Sequence, residues 1–226
     1  KNPIVNKLYK NAISPNDSLF ISTRNLYPPR VKDADGVINM LHAYGWEESE
    51  FPCEWVDDFN TYLQGITVMS MLVKKILIDN GVKIPISVSG LGLDHIDKID
   101  AEYSSITELK GYKILHVSSC FERKGIDTLL KAYGQAFNIY DNVTLIIKSF
   151  PNPHNKVSQV LEELSKNNHL FPHVVIILDE YSDAQLKGLY LQSNLLVAPS
   201  RGEGFGLPIG EAMRLGIPVI TTGWGG

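Results

Sequence analysis

The sequence predicts an α/β protein built on parallel sheets, and three observations carry that prediction. From about residue 111, short apolar runs alternate with amphipathic stretches of helical period. The apolar runs, such as YKILHV, VTLIIK and VVIIL, carry no polar alternation, so both faces of each strand are expected to be covered. Gly and Pro fall at the joints between runs, where they punctuate helices.

Taken in order, the first ninety residues suggest a helix near 4–12, strands near 19–22, 37–41 and 65–69, a helix from about 70 to 79, and a short strand at 84–89. These are too few strands for a closed domain. The polar stretch 90–111 is expected to connect two domains. The pattern then becomes regular. A strand at Tyr112–Val117 leads to a helix over 125–138, with Ile126, Leu129, Leu130, Tyr133 and Phe137 on one face. A strand at Val143–Lys148 leads to a helix over 155–168, with Val157, Val160, Leu161 and Leu164 inward. After a third strand at 174–178, Ser182 and Gln185 form a capping box for a helix running to about 193. A fourth strand at Leu195–Ala198 precedes a helix that Pro208 opens at its first position and Gly216 stops. A fifth strand at 217–221 follows.

Composition narrows the function classes. With 226 residues, one or two domains are expected, and 44% hydrophobic against 20% charged residues excludes a disordered chain. Lys and Arg number 21 against 25 Asp and Glu, a net charge of −4 that argues against general nucleic-acid binding. Cys53 and Cys120 are too few and too far apart for a disulfide framework, so a reducing compartment is expected. His169 and His173 have a metal-like spacing, but Pro172 breaks the helix such a pair needs, and they read as loop histidines. The longest apolar run, 66–78, is broken by Ser70, Lys74 and Lys75 and falls short of the ~18–20 residues of a spanning helix. No signal-peptide pattern stands at the start, and the chain opens without Met; a fragment is expected.

Parallel sheets of this kind bind ligands at the carboxyl ends of their strands, which points to loops 118–125, 149–154, 179–182, 199–207 and 222–226. The richest of these begins Pro199-Ser200-Arg201-Gly202-Glu203-Gly204-Phe205-Gly206-Leu207-Pro208 and continues into a helix carrying Glu211. Gly202, Gly204 and Gly206 remove side chains from the turn, so a ligand can approach the backbone. The amides of Gly206, Leu207 and Ile209 are expected to point at an anion or a sugar oxygen before the helix. Glu211 follows Glu203 by eight positions, and a carboxylate accepts two hydroxyl hydrogen bonds side by side, as a ribose or hexose diol requires. Taken singly, Glu203 also reads as a solvated loop charge and Glu211 as a complement to the helix dipole.

The string from Pro199 to Met213 closely resembles the PS-x-x-EGFG-x-P-x-x-EAM signature of glycosyltransferase family 4. The resemblance extends to IPVITTGWGG at 217–226 and to a strand, K-G, helix unit over 112–132, where Arg123 and Lys124 precede the helix. Gly92-Leu93-Asp94 resembles the family's hinge G-V-D. Trp46-Glu47 with Pro52, and Arg24-Asn25 with Pro28-Pro29, resemble elements of some members. Where many members carry Arg five positions before the Lys, this chain has Ser119. The resemblance covers about residues 20–226, and its specific part is 112–226.

What the resemblance implies is a GT-B architecture of two Rossmann-like domains with parallel sheets. Residues 1–92 would be an incomplete N-terminal, acceptor-side domain. Residues 93–226 would be the nucleotide-sugar domain, stopping before its last helices. The activity implied is retaining transfer of a sugar from a nucleoside diphosphate sugar to a hydroxyl of a glycan or glycolipid acceptor, in polysaccharide or glycoconjugate synthesis. Lys124 and Arg123 would clamp the diphosphate beside a helix N-terminus. Glu203 and His42 would stand with them as catalytic residues, and Glu47, like His42, leaves a strand towards the cleft. Gly204, Phe205, Gly206, Leu207, Glu211 and Tyr181 would bind the donor, Tyr181 beside the base. The resemblance implies metal-independent action with the nucleotide sugar as substrate, so neither a metal nor a cofactor is expected. The place implied is the cytoplasm, with peripheral association at the inner face of the membrane as a further expectation. A sugar-nucleotide epimerase on the same fold, a non-catalytic nucleotide-sugar-binding module and a plain α/β scaffold are the alternatives; the E-G-F-G string argues against the epimerase.

Overall fold

The computed structural model describes residues 20–103 and 111–225, together with Pro3 and Leu109. The helix expected near 4–12 lies outside the described residues.

Two parallel sheets organise the chain. The first has four strands, β1 (Ile21–Arg24), β2 (Ile38–Tyr44), β3 (Gly65–Val68) and β4 (Ile86–Val88), paired in sequence order. The helix after β2, α1 (Cys53–Tyr62), escaped the sequence reading. It turns Val56 and Phe59 onto a core with Leu41, Tyr44, Phe51 and Ile66. Next, α2 (Met71–Asp79) starts where expected, because the Ser70 hydroxyl accepts the Val73 amide at 3.3 Å as an N-cap. Strand β2 runs three residues past its expected end. It does so through an irregularity in its pairing with β3, at Ala43, whose φ of 45° lies in the left-handed region.

The second sheet has five strands, β5 (Tyr112–Val117), β6 (Val143–Lys148), β7 (Val174–Ile177), β8 (Leu195–Ala198) and β9 (Val219–Thr221). Their spatial order is β7-β6-β5-β8-β9, all parallel, so the strand order reverses between β5 and β8. Side-chain alternation along the central strands builds two cores. Ile114, Leu145 and Ile147 pack with α3 (Ile126–Ala136) and α4 (Val157–Asn167) on one face. Leu115 and Ile146 pack with α5 (Asp183–Leu191) and α6 (Leu207–Arg214) on the other. Helices therefore cover both faces, as the unbroken apolar strands require. Both bonds of the Ser182–Gln185 capping box form. Pro208 takes the second rather than the first position of α6, since Leu207 is already helical.

The stretch after the first sheet is less loose than its polarity suggested. Leu93 packs on Gly210, Asp97 forms a bidentate ion pair with Arg214, and the Ile99 carbonyl accepts Lys187 Nζ at 2.7 Å. These contacts strap residues 93–99 to α5 and α6. In an open parallel sheet the strand-order reversal leaves a crevice at the carboxyl edge, which here faces the first unit.

Candidate active site

Gly125 makes the first joint of the site. Its φ is +69°, and a Cβ placed there would stand 2.1 Å from the Pro199 carbonyl oxygen. Only glycine lets the loop after β5 lie against the end of β8. That approach brings Lys124 to the 200–206 loop. Lys124 Nζ donates to Glu203 Oε1 at 2.5 Å, and the Ser200 hydroxyl donates to the same oxygen at 2.7 Å. Each side chain of the pair is only 14% exposed. Glu203 is thus held by the loop rather than projecting from it.

Arg123 lies beside this pair. Its guanidinium donates to the Gly202 carbonyl at 3.0 Å and to Glu47 Oε1 at 3.1 Å, and it stands 3.8 Å from Glu203 Oε2. Arg201 secures the outer side of the loop. Its amide donates to the Arg123 carbonyl at 2.6 Å, and its guanidinium grips Asp127 at 2.9–3.0 Å. That hydrogen-bonded grip holds the Asp127 carboxyl below the usual carboxylate range.

Between the two units opens a cleft of about 500 Å³. Asn25, Tyr27, Glu47, Met69 and Leu91 form one wall; Lys124, Glu203, Gly204, Phe205, Gly206 and Leu207 form the other. Gly206 turns with φ +80° to start α6. Its carbonyl accepts the amides of both Ile209 and Gly210, so the Ile209 amide is spent inside the turn and does not face a ligand, contrary to expectation. Among the described residues, the amides of Gly206 and Leu207 have no protein acceptor. Gly202 and Gly204 also serve differently from expectation: they seat the backbone of Trp46 and Glu47 from the first unit.

Glu211 is buried one turn into α6. Its Oε2 accepts the Tyr190 hydroxyl at 2.9 Å, and its Oε1 meets His95 Nε2 at 2.9 Å. Tyr190 is fully buried, and burial together with the adjacent carboxylate pushes its hydroxyl pKa above the ordinary phenol value. The Tyr190 bond is therefore a fixed internal anchor, whereas His95 is 44% exposed and covers Glu211 from outside.

The structure places the other expected residues as follows. Phe205 lines the cleft. His42 sits within β2, exposed, and is not one of the cleft-lining residues. Tyr181 follows β7 with its ring 4.9 Å from Lys148 Nζ. Lys148, which the sequence reading passed over, ends β6 buried, donating to the carbonyls of Ser149 and Asp179 at 2.8 and 2.9 Å. Burial pulls its pKa down. Below the site, His116 donates from Nδ1 to the Val197 carbonyl and accepts the Ser118 hydroxyl at Nε2, and burial pulls its pKa down as well. His95, Tyr190 and Ser200 were also missed. The only cue for His95 was its place after Gly92-Leu93-Asp94.

Among the described residues, no group of three or more His, Cys, Asp or Glu is placed to hold a metal ion, and no helix is long and apolar enough to cross a membrane.

Two parallel sheets facing across a cleft, with cations and a glycine-rich turn at their carboxyl edge, define a GT-B fold, and the comparisons with known proteins agree. The chain belongs to the group 1 glycosyltransferases: the family described as "Glycosyl transferases group 1" matches residues 100–226, more than half of the chain. Among curated relatives, "Uncharacterized glycosyltransferase 335" of Sulfolobus islandicus rod-shaped virus 1 is 30% identical over 104 residues, 46% of this chain and 29% of that protein. The O-antigen biosynthesis glycosyltransferase WclY of Escherichia coli is 31% identical over 101 residues, 45% of this chain and 26% of that protein. The aligned part is thus less than a third of each relative. Sucrose-phosphate synthase from Thermosynechococcus elongatus superposes with a TM-score of 0.72 at 18% identity, covering 99% of this chain and 61% of that one. HepE of Anabaena, solved with UDP-glucose, superposes with a TM-score of 0.69 at 20% identity, covering 84% of this chain and 54% of that one. These structural likenesses show the GT-B fold.

Proposed function

We propose that this chain forms the donor site and part of the acceptor side of a retaining, family 4 glycosyltransferase. It would move a sugar from a nucleoside diphosphate sugar to a hydroxyl of a glycan or glycolipid in polysaccharide or glycoconjugate synthesis. The observation that carries the proposal is the meeting of Lys124, Arg123 and Glu203 at the mouth of the cleft, beside the free amides that open α6. Residues 1–92 are assigned to the acceptor side and 93–226 to the donor side.

The barrier to glycosyl transfer lies in breaking the anomeric C–O bond as charge develops on the diphosphate. Lys124 and Arg123 supply two cations there, and the Gly206 and Leu207 amides supply the positive end of a helix. Glu203, held by Lys124 and Ser200, offers a carboxylate for sugar hydroxyls. Glu211 offers Oε1 to the ribose diol once His95 gives way, while Tyr190 keeps Oε2 in place. Gly204 and Phe205 flank the donor, Tyr181 reaches for the base, and His42 would have to be brought towards the cleft to act. Among the described residues the cleft carboxylates are engaged, Glu203 by Lys124 and Ser200 and Glu47 by Arg123, so neither is assigned as a nucleophile; retention is assigned to same-face transfer, in which the leaving phosphate takes the acceptor proton. The two cations do the work a metal would otherwise do, and the donor is a substrate, so no cofactor is invoked. Cytoplasmic placement, with peripheral contact at the inner membrane face, follows from a lipid-linked acceptor.

Donor-dependent sugar release by the full-length protein tests the proposal. Release of free sugar and nucleoside diphosphate from a panel of nucleotide sugars, accelerated by acceptor, is expected. Binding without turnover would leave only a nucleotide-sugar-binding module.

A further inference from the structure

Glu47 and Arg123 are 76 positions apart, in segments that follow strands of different sheets, yet they form an ion pair across the cleft, Glu47 Oε1 to Arg123 Nη2 at 3.1 Å. The carboxylate is carried on an unusually well-fixed turn. The Trp46 indole N–H donates to the Glu50 carbonyl at 2.8 Å, and its ring packs edge-on against Phe51 at 4.9 Å and Trp55 at 5.8 Å. The backbone of the same turn rests in the glycine-rich loop. A Cβ on Gly202 would stand 2.4 Å from the Glu47 carbonyl oxygen, and one on Gly204 would stand 3.3 Å from that of Trp46. Side chains at those two glycines would push the turn away.

A guanidinium has five N–H donors in one plane. In Arg123, Nη1 donates to the Gly202 carbonyl and Nη2 to Glu47 Oε1. The covalent link through Nε and the contacts at both terminal nitrogens together fix the guanidinium plane, so its remaining donors are presented in a set direction beside Lys124. Without Glu47, Arg123 would keep the Gly202 carbonyl and the more distant Glu203 Oε2 at 3.8 Å, and its guanidinium would be drawn towards the carboxylate that Lys124 already holds.

We infer that Glu47 is a positioning residue for the donor site: from the opposite unit, it orients Arg123 for the diphosphate without touching the donor itself. This rests on the reading of Arg123 as a phosphate ligand. It gives the first sheet a part in donor binding, and it explains why the turn that carries Glu47 is seated in the glycine-rich loop.

The test is a double-mutant cycle on the full-length protein, read by calorimetry with UDP and GDP, using whichever binds wild type, and with the matching nucleoside. Glu47→Gln should weaken nucleoside diphosphate binding by about fivefold, a size set by the partial exposure of the pair. Nucleoside binding should not change, and Glu47→Asp should recover part of the loss. Arg123→Ala should weaken diphosphate binding more, and adding Glu47→Gln to it should change nothing further. Thermal melting of each variant reports folding, and Glu47→Gln keeps the side-chain shape should Glu47→Ala not fold. Unchanged or tighter diphosphate binding in Glu47→Gln, or losses that add in the double variant, would overturn the inference. If neither nucleotide binds wild type, the cycle is run with ADP and dTDP, and binding of none of the four would sink the proposed function instead.

Discussion

The Tyr190 hydroxyl donates to Glu211 Oε2 at 2.9 Å, and both side chains are buried between α5 and α6. Burial and the facing carboxylate keep that hydroxyl protonated, so it is a permanent donor. Removing it in Tyr190→Phe leaves a buried carboxylate oxygen without a partner. The expected loss is about 1–3 kcal/mol of stability, read by urea denaturation. Unchanged stability would mean that Glu211 finds another donor.

The Tyr44 hydroxyl presents the opposite case. It is buried among Phe51 and Phe59, and among the described residues it has no hydrogen-bond partner. Tyr44→Phe removes a desolvated polar group and keeps the ring packing. It should therefore hold or raise stability, by up to about 1 kcal/mol. A loss of more than that in denaturant titration would show that the hydroxyl has a partner after all.

His116 gives a pH dependence. Burial lowers its folded-state pKa below the unfolded value near 6.5. Above pH ~6.5 both states are neutral and the group contributes nothing. Below it the unfolded chain takes up a proton that the folded chain refuses. Stability should thus fall by up to about 1.4 kcal/mol per pH unit, until the folded pKa is reached. Denaturation curves between pH 7 and 5 should show this slope, reduced in His116→Asn. An equal slope in that variant would assign it to other groups.

Chelation tests the electrostatic assignment. In the proposed function Lys124 and Arg123 supply the charge a metal would bring, and the acidic run Asp179, Glu180 and Asp183 lies after β7. Transfer by the full-length protein should survive EDTA. Loss with EDTA and recovery with Mn²⁺ would move the diphosphate charge onto a metal held near 179–183.

The sheets and the 199–213 segment were legible in the sequence because their signals are local. Val143–Lys148 is apolar at four of its six positions, Ser182 and Gln185 cap across one turn, and Gly202, Gly204, Gly206 and Glu211 fall within one short string. What stayed hidden depends on residues brought together by folding. Glu47 reaches Arg123 across 76 positions, and His95 reaches Glu211 across 116. Helix α1 was missed because only Val56 and Phe59 are buried, too few to show a helical stripe in CEWVDDFNTY. The fate of the Ile209 amide depended on how tightly Gly206 turns, which composition does not reveal.

The Lys124–Glu203 pair carries the central claim, since the donor diphosphate is held to bind at that cation. The most direct measurement is calorimetry of Lys124→Ala with a nucleoside diphosphate and with its nucleoside. A loss of about 1.5–3 kcal/mol is predicted for the diphosphate, the size of a hydrogen bond to a charged group, with little change for the nucleoside. Equal losses for both ligands in a folded variant would contradict the claim and place Lys124 in the scaffold rather than on the phosphates.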